Sequence, residues 1–224
     1  MAATIISHRG LTREVRLDQI ERYMGMGGVS AEGELSREID RCRPLIMNAV
    51  NAMACYLETD VKVDDDTVDL SYLSIESKSL SRLMRGCNKA ILIAATIGPK
   101  VDMLIKKEAV VSKASALVMN SVAVAAIESY MAELNEYIAN EYKEYSLRPR
   151  FSPGYGDVPL STQIDLIRVL DTNRKIGVAL SDTLLMTPEK SVSAIIGLAE
   201  DGCIHIDKDC DICPKKDCEY RLGD

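Results

Sequence analysis

Aromatic residues are scarce in this sequence, which has no tryptophan and one phenylalanine beside nine tyrosines. The hydrophobic core must therefore be built from alanine, isoleucine, leucine, valine and methionine. A broad pocket lined with aromatic rings is not expected. A single aromatic side chain at a binding site would consequently carry more weight than usual.

The composition disfavours two kinds of partner, nucleic acids and membranes. Positive charge is in deficit, with 27 lysines and arginines against 34 acidic residues, and the net charge of −7 would repel a phosphate backbone. No apolar run reaches the roughly 18 residues of a membrane span. The N-terminus does not have the pattern of a signal peptide. We therefore expect a cytoplasmic protein with no nucleic-acid partner and no membrane segment.

The seven cysteines fall into two groups. Three are scattered through apolar stretches and are expected to be small buried residues: Cys42, Cys55 and Cys87. The other four are close together in the tail, with the spacing C-x6-C-x2-C-x4-C: Cys203, Cys210, Cys213 and Cys218. Four thiolates this near in sequence can bind structural zinc or an iron–sulfur cluster, and the spacing does not separate the two. The alternative is a metal-free reduced tail or one adventitious disulfide.

Helical and extended patterns alternate along the chain, without an internal repeat or a flexible linker. Helices are predicted over residues 12–24, from 30 onward with a kink or restart at Pro44, and over 77–84, 99–107, 112–145, from 160, and 171–176. Strands are predicted over residues 54–57, 61–63, 68–73, 90–98, 178–180 and 191–198. This pattern predicts an α+β fold with a mixed, largely antiparallel twisted sheet. The predicted division is one domain over residues 1–200 and a cysteine-rich tail over residues 201–224.

The segment of residues 112–145 is the longest helical pattern in the sequence. Its first half is rich in alanine, which allows close packing on several sides and predicts a central helix. Its second half becomes polar, so that end is expected to reach solvent.

The segment of residues 148–157, Arg-Pro-Arg-Phe-Ser-Pro-Gly-Tyr-Gly-Asp, follows this helix. Its prolines restrict the backbone, and a rigid loop loses little entropy when it binds a ligand. Its two arginines could each pair with a carboxylate, and its tyrosine could stack on a flat ring. The residues alone leave a structural corner with surface arginines equally open.

Four stretches resemble, in the same order, the activation domain of vitamin B12-dependent methionine synthase. The loop at residues 150–155 is similar to that family's Arg-Pro-Ala-x-Gly-Tyr. Residues 22–25 (Arg-Tyr-Met-Gly) resemble an early Arg-Tyr-x-Gly, and residues 95–98 (Ala-Thr-Ile-Gly) resemble a strand ending in Thr-x-Gly. Residues 186–193 resemble the family's Met-x-Pro-x-x-Ser-x-Ser. The joint order of these matches makes the resemblance specific.

The resemblance implies a site for S-adenosylmethionine. Carried over by position, Arg150 would bind the methionyl carboxylate of the ligand and Glu128 its charged amine. The backbone around Ser152 and Gly154 would receive the ligand's polar groups, and Tyr155 would flank it. No catalytic residue is implied, because the ligand and a reduced cobalamin supply the reactivity.

The family's role implies partners as well. A stand-alone chain of this kind would support reductive methylation of cobalamin held by a separate methionine synthase or other corrinoid protein, and is not a complete enzyme alone. The electron would come from a donor such as a flavoprotein or ferredoxin. Two departures from the family loop are Phe151, where proline follows the arginine, and Gly156, where proline follows the tyrosine.

Two other functions stay open at this point. The chain could be a metal-binding accessory protein, for zinc or an iron–sulfur cluster, in which the tail does the work and the loop is structural. A self-contained methyltransferase is the weakest alternative, because the glycine-rich strand–loop–helix fingerprint of the common methyltransferase fold is missing.

Overall fold

A computed structural model describes residues 4–7, 14–26 and 29–200. The described strands are β1 (Thr4–Ser7), β2 (Met53–Asp60), β3 (Lys62–Asp64), β4 (Thr67–Asp69), β5 (Ser74–Glu76), β6 (Cys87–Thr96), β7 (Tyr145–Leu147), β8 (Ala179–Leu180), β9 (Met186–Thr187) and β10 (Ser191–Glu200). The described helices are α1 (Leu17–Tyr23), α2 (Gly33–Ala49), α3 (Lys78–Met84), α4 (Pro99–Val111), α5 (Lys113–Glu141), α6 (Thr162–Leu170) and α7 (Thr172–Ile176). The predicted fold class is confirmed.

A five-stranded antiparallel sheet in the order β1-β2-β6-β10-β7 forms the centre of the fold. The two longest strands, β6 and β10, are neighbours within it and pair from Ser191 opposite Thr96 onward. Two smaller sheets, β3-β4-β5 and β8-β9, lie outside it. Each of these pairings is antiparallel.

The central sheet separates two hydrophobic cores. Alternate residues of β6 point to opposite faces, as the pleat of a strand requires. Ile91 and Ile93 pack in the first core with α1, α2, α4 and α5, whereas Leu92 and Ala94 pack in the second with α3, α6 and α7. The sheet is thus covered by helices on both faces, which explains why its middle strands read as continuous apolar runs.

Helix α5 crosses the first face and has the central position that its alanines predict. Ser112 caps it by accepting a 3.2 Å hydrogen bond from the N–H of Ser115. It is buried nearly all round from Val118 to Tyr130, and beyond that only the stripe Met131, Leu134 and Ile138 is buried. By length and composition α5 could cross a membrane, but 67% of its most apolar 18-residue stretch is buried in the fold, as in a core helix.

Two of the helix predictions are wrong in detail. Helix α1 begins at Leu17 rather than residue 12, because Arg16 has extended backbone angles. Helix α2 begins at Gly33 and continues through Pro44 without a restart. Pro44 lies on the exposed side of α2, where water can bind the carbonyl that lost its N–H partner.

The strand predicted over residues 68–73 is wrong as well. The structure has two short strands, β4 and β5, joined by a tight turn in which the N–H of Leu70 donates to the carbonyl of Leu73. Ser71 has φ +62°, a left-handed conformation that an uninterrupted strand does not contain. The Asp69 carboxylate supports the turn by accepting a 2.8 Å bond from the N–H of Ser71.

The cysteine predictions have different outcomes. Cys42, Cys55 and Cys87 are buried thiols, as expected. The tail cysteines lie outside the described residues, so the metal site at Cys203, Cys210, Cys213 and Cys218 and the boundary at residue 200 stay predictions. Within the described part of the chain, no three His, Cys, Asp or Glu side chains are grouped so that they could hold a metal ion.

Candidate functional site

The loop of residues 148–157 begins as a continuation of β7 along the edge of β10. The N–H of Arg148 donates to the carbonyl of Gly197 at 2.8 Å. Phe151 and Ile195 then exchange two backbone hydrogen bonds, each of 2.9 Å. The first half of the loop is therefore held by the central sheet, and its position is as fixed as that of a strand.

The two arginines of this loop serve different faces of the sheet. Arg148 is 6% exposed and donates to the carbonyl of Arg85, just beyond α3. Arg150 reaches across the first core face to α5, where its Nη2 lies 3.1 Å from Oε2 of Glu128. Arg148 thus has a structural role, whereas Arg150 is the arginine that faces a second charged side chain.

Arg150 and Glu128 form an ion pair that solvent can reach. Their side chains are 20% and 35% exposed, so neither charge is isolated in the core. The resemblance implied that the two side chains bind different groups of a ligand, whereas the structure brings them into contact. Their opposite charges attract each other when no ligand separates them.

Tyr23, at the end of α1, is a third member of this group. Burial and the neighbouring charge of Glu128 raise the pKa of its hydroxyl above the ordinary value, against a smaller opposite effect of Arg150. Its carbonyl accepts a 3.3 Å hydrogen bond from Ser121 of α5, which fixes the end of α1 beside that helix. The Arg-Tyr-Met-Gly motif marked this tyrosine in the sequence, but no role was assigned to it there.

The second half of the loop is a compact set of turns. Gly154 has φ +83°, and its N–H donates to the carbonyl of Val158 at 3.0 Å. The N–H of Tyr155 donates to the carbonyl of Ser152, and the N–H of Val158 to the carbonyl of Tyr155, each at 3.1 Å. These bonds close the loop on itself, so it is rigid, as its prolines predict.

Tyr155 is 46% exposed and rests on Phe151. The ring centroids are 5.9 Å apart at an interplanar angle of 85°, an edge-to-face contact. Phe151 is 3% exposed and belongs to the second core. The residue that departs from the family's proline therefore provides a buried platform for the exposed tyrosine.

Asp157 ties the loop to α3, a role that the sequence analysis missed. Its carboxylate accepts hydrogen bonds from the N–H groups of Lys78 (2.8 Å) and Ser79 (3.2 Å), and from the hydroxyl of Ser77. Desolvation raises the pKa of Asp157, but these hydrogen bonds outweigh it and lower the pKa to about 2. The stabilisation is therefore present above the ordinary carboxyl pKa and is lost as the pH falls toward 2.

The predicted site residues thus fall into two adjoining pieces. Arg150 and Glu128 meet on the α5 side of the sheet, and Tyr23 lies close to them. Ser152, Gly154 and Tyr155 form the turn that follows directly in the chain.

Comparison with known proteins agrees with this architecture. The model of the family described as "Vitamin B12 dependent methionine synthase, activation domain" matches residues 111–203. The family resemblance is confirmed. The matched segment includes α5, the loop and β10, and therefore both Glu128 and Arg150.

The fold has a known counterpart. The crystal structure of the MetH reactivation domain bound to AdoHcy superimposes with a TM-score of 0.61 at 14% sequence identity, covering 92% of this chain and 81% of that one. At this identity the match shows a shared fold. No curated protein matches the sequence.

Proposed function

We propose that this chain binds S-adenosylmethionine and supports the reductive methylation of cobalamin on a separate methionine synthase or other corrinoid protein. The observation that carries the proposal is the solvent-accessible ion pair of Arg150 and Glu128, in a segment that matches the activation domain family. The relative with the same fold was crystallised with AdoHcy, the product that remains when S-adenosylmethionine gives up its methyl group.

The ion pair suits an amino acid moiety. The methionyl end of S-adenosylmethionine has one carboxylate and one ammonium group, the complements of Arg150 and Glu128. On binding, the ligand would replace one protein–protein ion pair with two protein–ligand pairs, so neither protein charge would lose its partner. The guanidinium can bind the carboxylate through two parallel N–H donors, which a lysine could not do.

The turn of residues 152–155 offers the ligand acceptors in preference to donors. The N–H groups of Gly154 and Tyr155 already donate within the loop. Carbonyl oxygens have two lone pairs, so the carbonyl of Ser152, which accepts one bond from Tyr155, can accept another. We expect these carbonyls to accept from the ligand's hydroxyl or amino groups, with the exposed Tyr155 ring against the purine.

The role of the chain itself is to position the ligand. When bound, S-adenosylmethionine supplies a methyl group activated by the sulfonium. Cobalamin on the partner would accept this methyl group after reduction by an electron donor such as a flavoprotein or ferredoxin. Arg150 and Glu128 would fix the methionyl end, and the loop would fix the rest of the ligand before the partner approaches. No proton has to move in this transfer, which agrees with the absence of an implied catalytic acid or base.

Titration calorimetry with three ligands tests this proposal. We expect S-adenosylmethionine and S-adenosylhomocysteine to bind with similar affinity, because both have the charged amino acid end. Methylthioadenosine lacks that end and should bind at least about tenfold more weakly, since each charge-assisted hydrogen bond contributes roughly 1.5–3 kcal/mol. Failure of the wild-type protein to bind S-adenosylmethionine would contradict the proposal.

Replacement of Tyr23 tests whether the end of α1 belongs to the site. Because the hydroxyl lies in the field of Glu128, Tyr23→Phe should weaken S-adenosylmethionine binding by about fivefold, the effect of losing one hydrogen bond of about 1 kcal/mol. Tyr137→Phe is the matched control, since its ring contacts Tyr56 instead. Equal affinities for the two variants would remove Tyr23 from the site.

A further inference from the structure

We propose that Gly156 and Asp157 anchor the ligand-binding loop to the start of α3, which makes Asp157 a positioning residue for S-adenosylmethionine. The inference rests on the proposed function for its ligand, but its structural half can be tested without one. Three observations carry it: the contacts of the Asp157 carboxylate, the close approach at Gly156, and the place of Tyr155 between two fixed points.

The Asp157 carboxylate acts as an N-cap supplied from a distant part of the chain. The first N–H groups of a helix have no partner within the helix. Asp157 accepts from two of them, at Lys78 and Ser79, while Ser77 accepts from the N–H of Leu80 at 3.0 Å. The hydroxyl of Ser77 also donates to Asp157. Three hydrogen bonds thus join the loop to the start of α3, and the bond between Ser77 and Leu80 links them to the first turn of the helix.

Gly156 allows the loop to come this close. It has φ +56°, a conformation that disfavours residues with a side chain. A Cβ atom at this position would lie 3.0 Å from Oγ of Ser79 and 3.4 Å from Cζ of Phe151. Any larger residue would therefore require Ser79 or the loop itself to shift, in addition to straining the backbone. The family's loop has proline here, which stiffens the chain locally, whereas in this chain the restraint comes from tertiary contacts.

The hydrogen bonds of Asp157 to α3 help to determine the position of Tyr155. On one side, Phe151 is fixed to β10 by two backbone hydrogen bonds; on the other, Asp157 is fixed to α3. Tyr155 lies between these points, is exposed, and contacts the Phe151 ring edge-to-face. Without Asp157, the turn would keep its internal hydrogen bonds and its attachment to β10 but lose its attachment to α3, and the ligand would have to restore that order on binding. The entropy of that ordering weakens binding.

Hydrogen exchange and calorimetry on Asp157→Ala test the inference. The amides of Tyr155 and Val158, which donate within the loop, should exchange faster than in the wild type. The dissociation constant for S-adenosylmethionine should rise by about tenfold, as expected when a preorganised loop becomes mobile. Asp157→Asn keeps one acceptor oxygen and should recover part of both effects. Ser77→Ala removes one of the three partners of Asp157, together with the cap on the N–H of Leu80, and is the second variant to use if Asp157→Ala folds poorly.

Asp69→Ala is the matched control, because Asp69 also accepts from a turn N–H but does so away from this loop. It should leave the Tyr155 and Val158 amides unchanged and the affinity within about twofold. The inference is overturned if Asp157→Ala speeds exchange at Lys78 and Ser79 alone, because Asp157 would then only cap α3. If the wild type fails to bind S-adenosylmethionine, the proposed function is contradicted, while the exchange result still decides whether Asp157 positions the loop.

Discussion

Replacing Arg150 with alanine should abolish most of the affinity for S-adenosylmethionine. The variant removes the carboxylate's partner and leaves Glu128 without its cation. Loss of a charge-assisted hydrogen bond costs about 1.5–3 kcal/mol, which corresponds to a dissociation constant roughly 10–150 times larger. Arg150→Lys keeps the charge without the two-pronged guanidinium and should bind with intermediate affinity.

The fold should tolerate this change. Glu128 is 35% exposed, so solvent screens the pair, and partly exposed pairs contribute less than about 1 kcal/mol to stability. Arg168→Ala is the control, because it breaks the 2.7 Å pair with Asp165 on an exposed face of α6. We expect small and similar shifts in melting temperature for the two variants without ligand.

Thermal melting with added ligand separates binding from folding. A ligand at about 100 times its dissociation constant stabilises the native state by about 2.7 kcal/mol. At that concentration S-adenosylmethionine should therefore give the full rise in melting temperature in the wild type and in Arg168→Ala, and should stabilise Arg150→Ala by only about 0.3–1.4 kcal/mol. A full ligand-induced shift in Arg150→Ala would show that the ion pair is not where the methionyl group binds.

The ion pair determines how the two charges of the candidate site are balanced when no ligand is bound. Without a ligand, Arg150 and Glu128 neutralise each other. A ligand that offered only a carboxylate would separate the pair and leave Glu128 without a cation. The proposed site would therefore favour a zwitterion over a simple acid, because its two charges are already paired.

The sequence predicted the elements with regular patterns better than those that depend on tertiary contacts. The run at residues 90–98 is a strand because it is apolar on both faces, and the structure confirms it as β6. Helix α5 is central because its alanines allow close approach on all sides. In both cases the local sequence pattern agrees with the environment of the element in the fold, so the pattern alone is sufficient to predict the element.

The wrong predictions have a different cause. Ser71 and Asp69 form a turn that breaks an apparently continuous strand, and only backbone angles reveal it. The bond between Asp157 and α3 joins segments far apart in sequence, and an aspartate after glycine does not indicate a distant helix cap. Likewise, the resemblance gave Arg150 and Glu128 separate contacts with the ligand. In the structure they pair with each other, because the fold brings the loop within reach of α5.

Close packing requires a small residue at Gly197, beside the start of the loop. Gly197 lies in β10, and its carbonyl accepts from the N–H of Arg148. A Cβ atom there would lie 2.8 Å from both Sγ of Cys87 and Sδ of Met84, and 3.0 Å from Cγ of Arg148. Real Cβ contacts are not this short, so at least one neighbour must move. Three elements, β10, β6 and α3, thus meet at a position where glycine fits without displacing a neighbour.

Gly197→Ala should lower the stability of the protein by about 1–3 kcal/mol, the usual cost of overpacking a core. For a chain of this size, that corresponds to a fall in melting temperature of roughly 2–12 °C. The backbone of Gly197 is not among those with positive φ, so the loss would come from packing alone. Thermal denaturation followed by circular dichroism measures it.

A double-mutant cycle identifies the clash as the cause. Cys87→Ala removes one of the two sulfur atoms and makes room for Met84 to shift, so Gly197→Ala should cost less in a Cys87→Ala background. Cys55→Ala removes a buried thiol elsewhere in the second core and should give no such relief. If both backgrounds show the same loss, the instability does not arise from contact with Cys87. Partial recovery with Cys87→Ala alone would show that the contact between β10 and Cys87 of β6 requires glycine beside the start of the loop of residues 148–157.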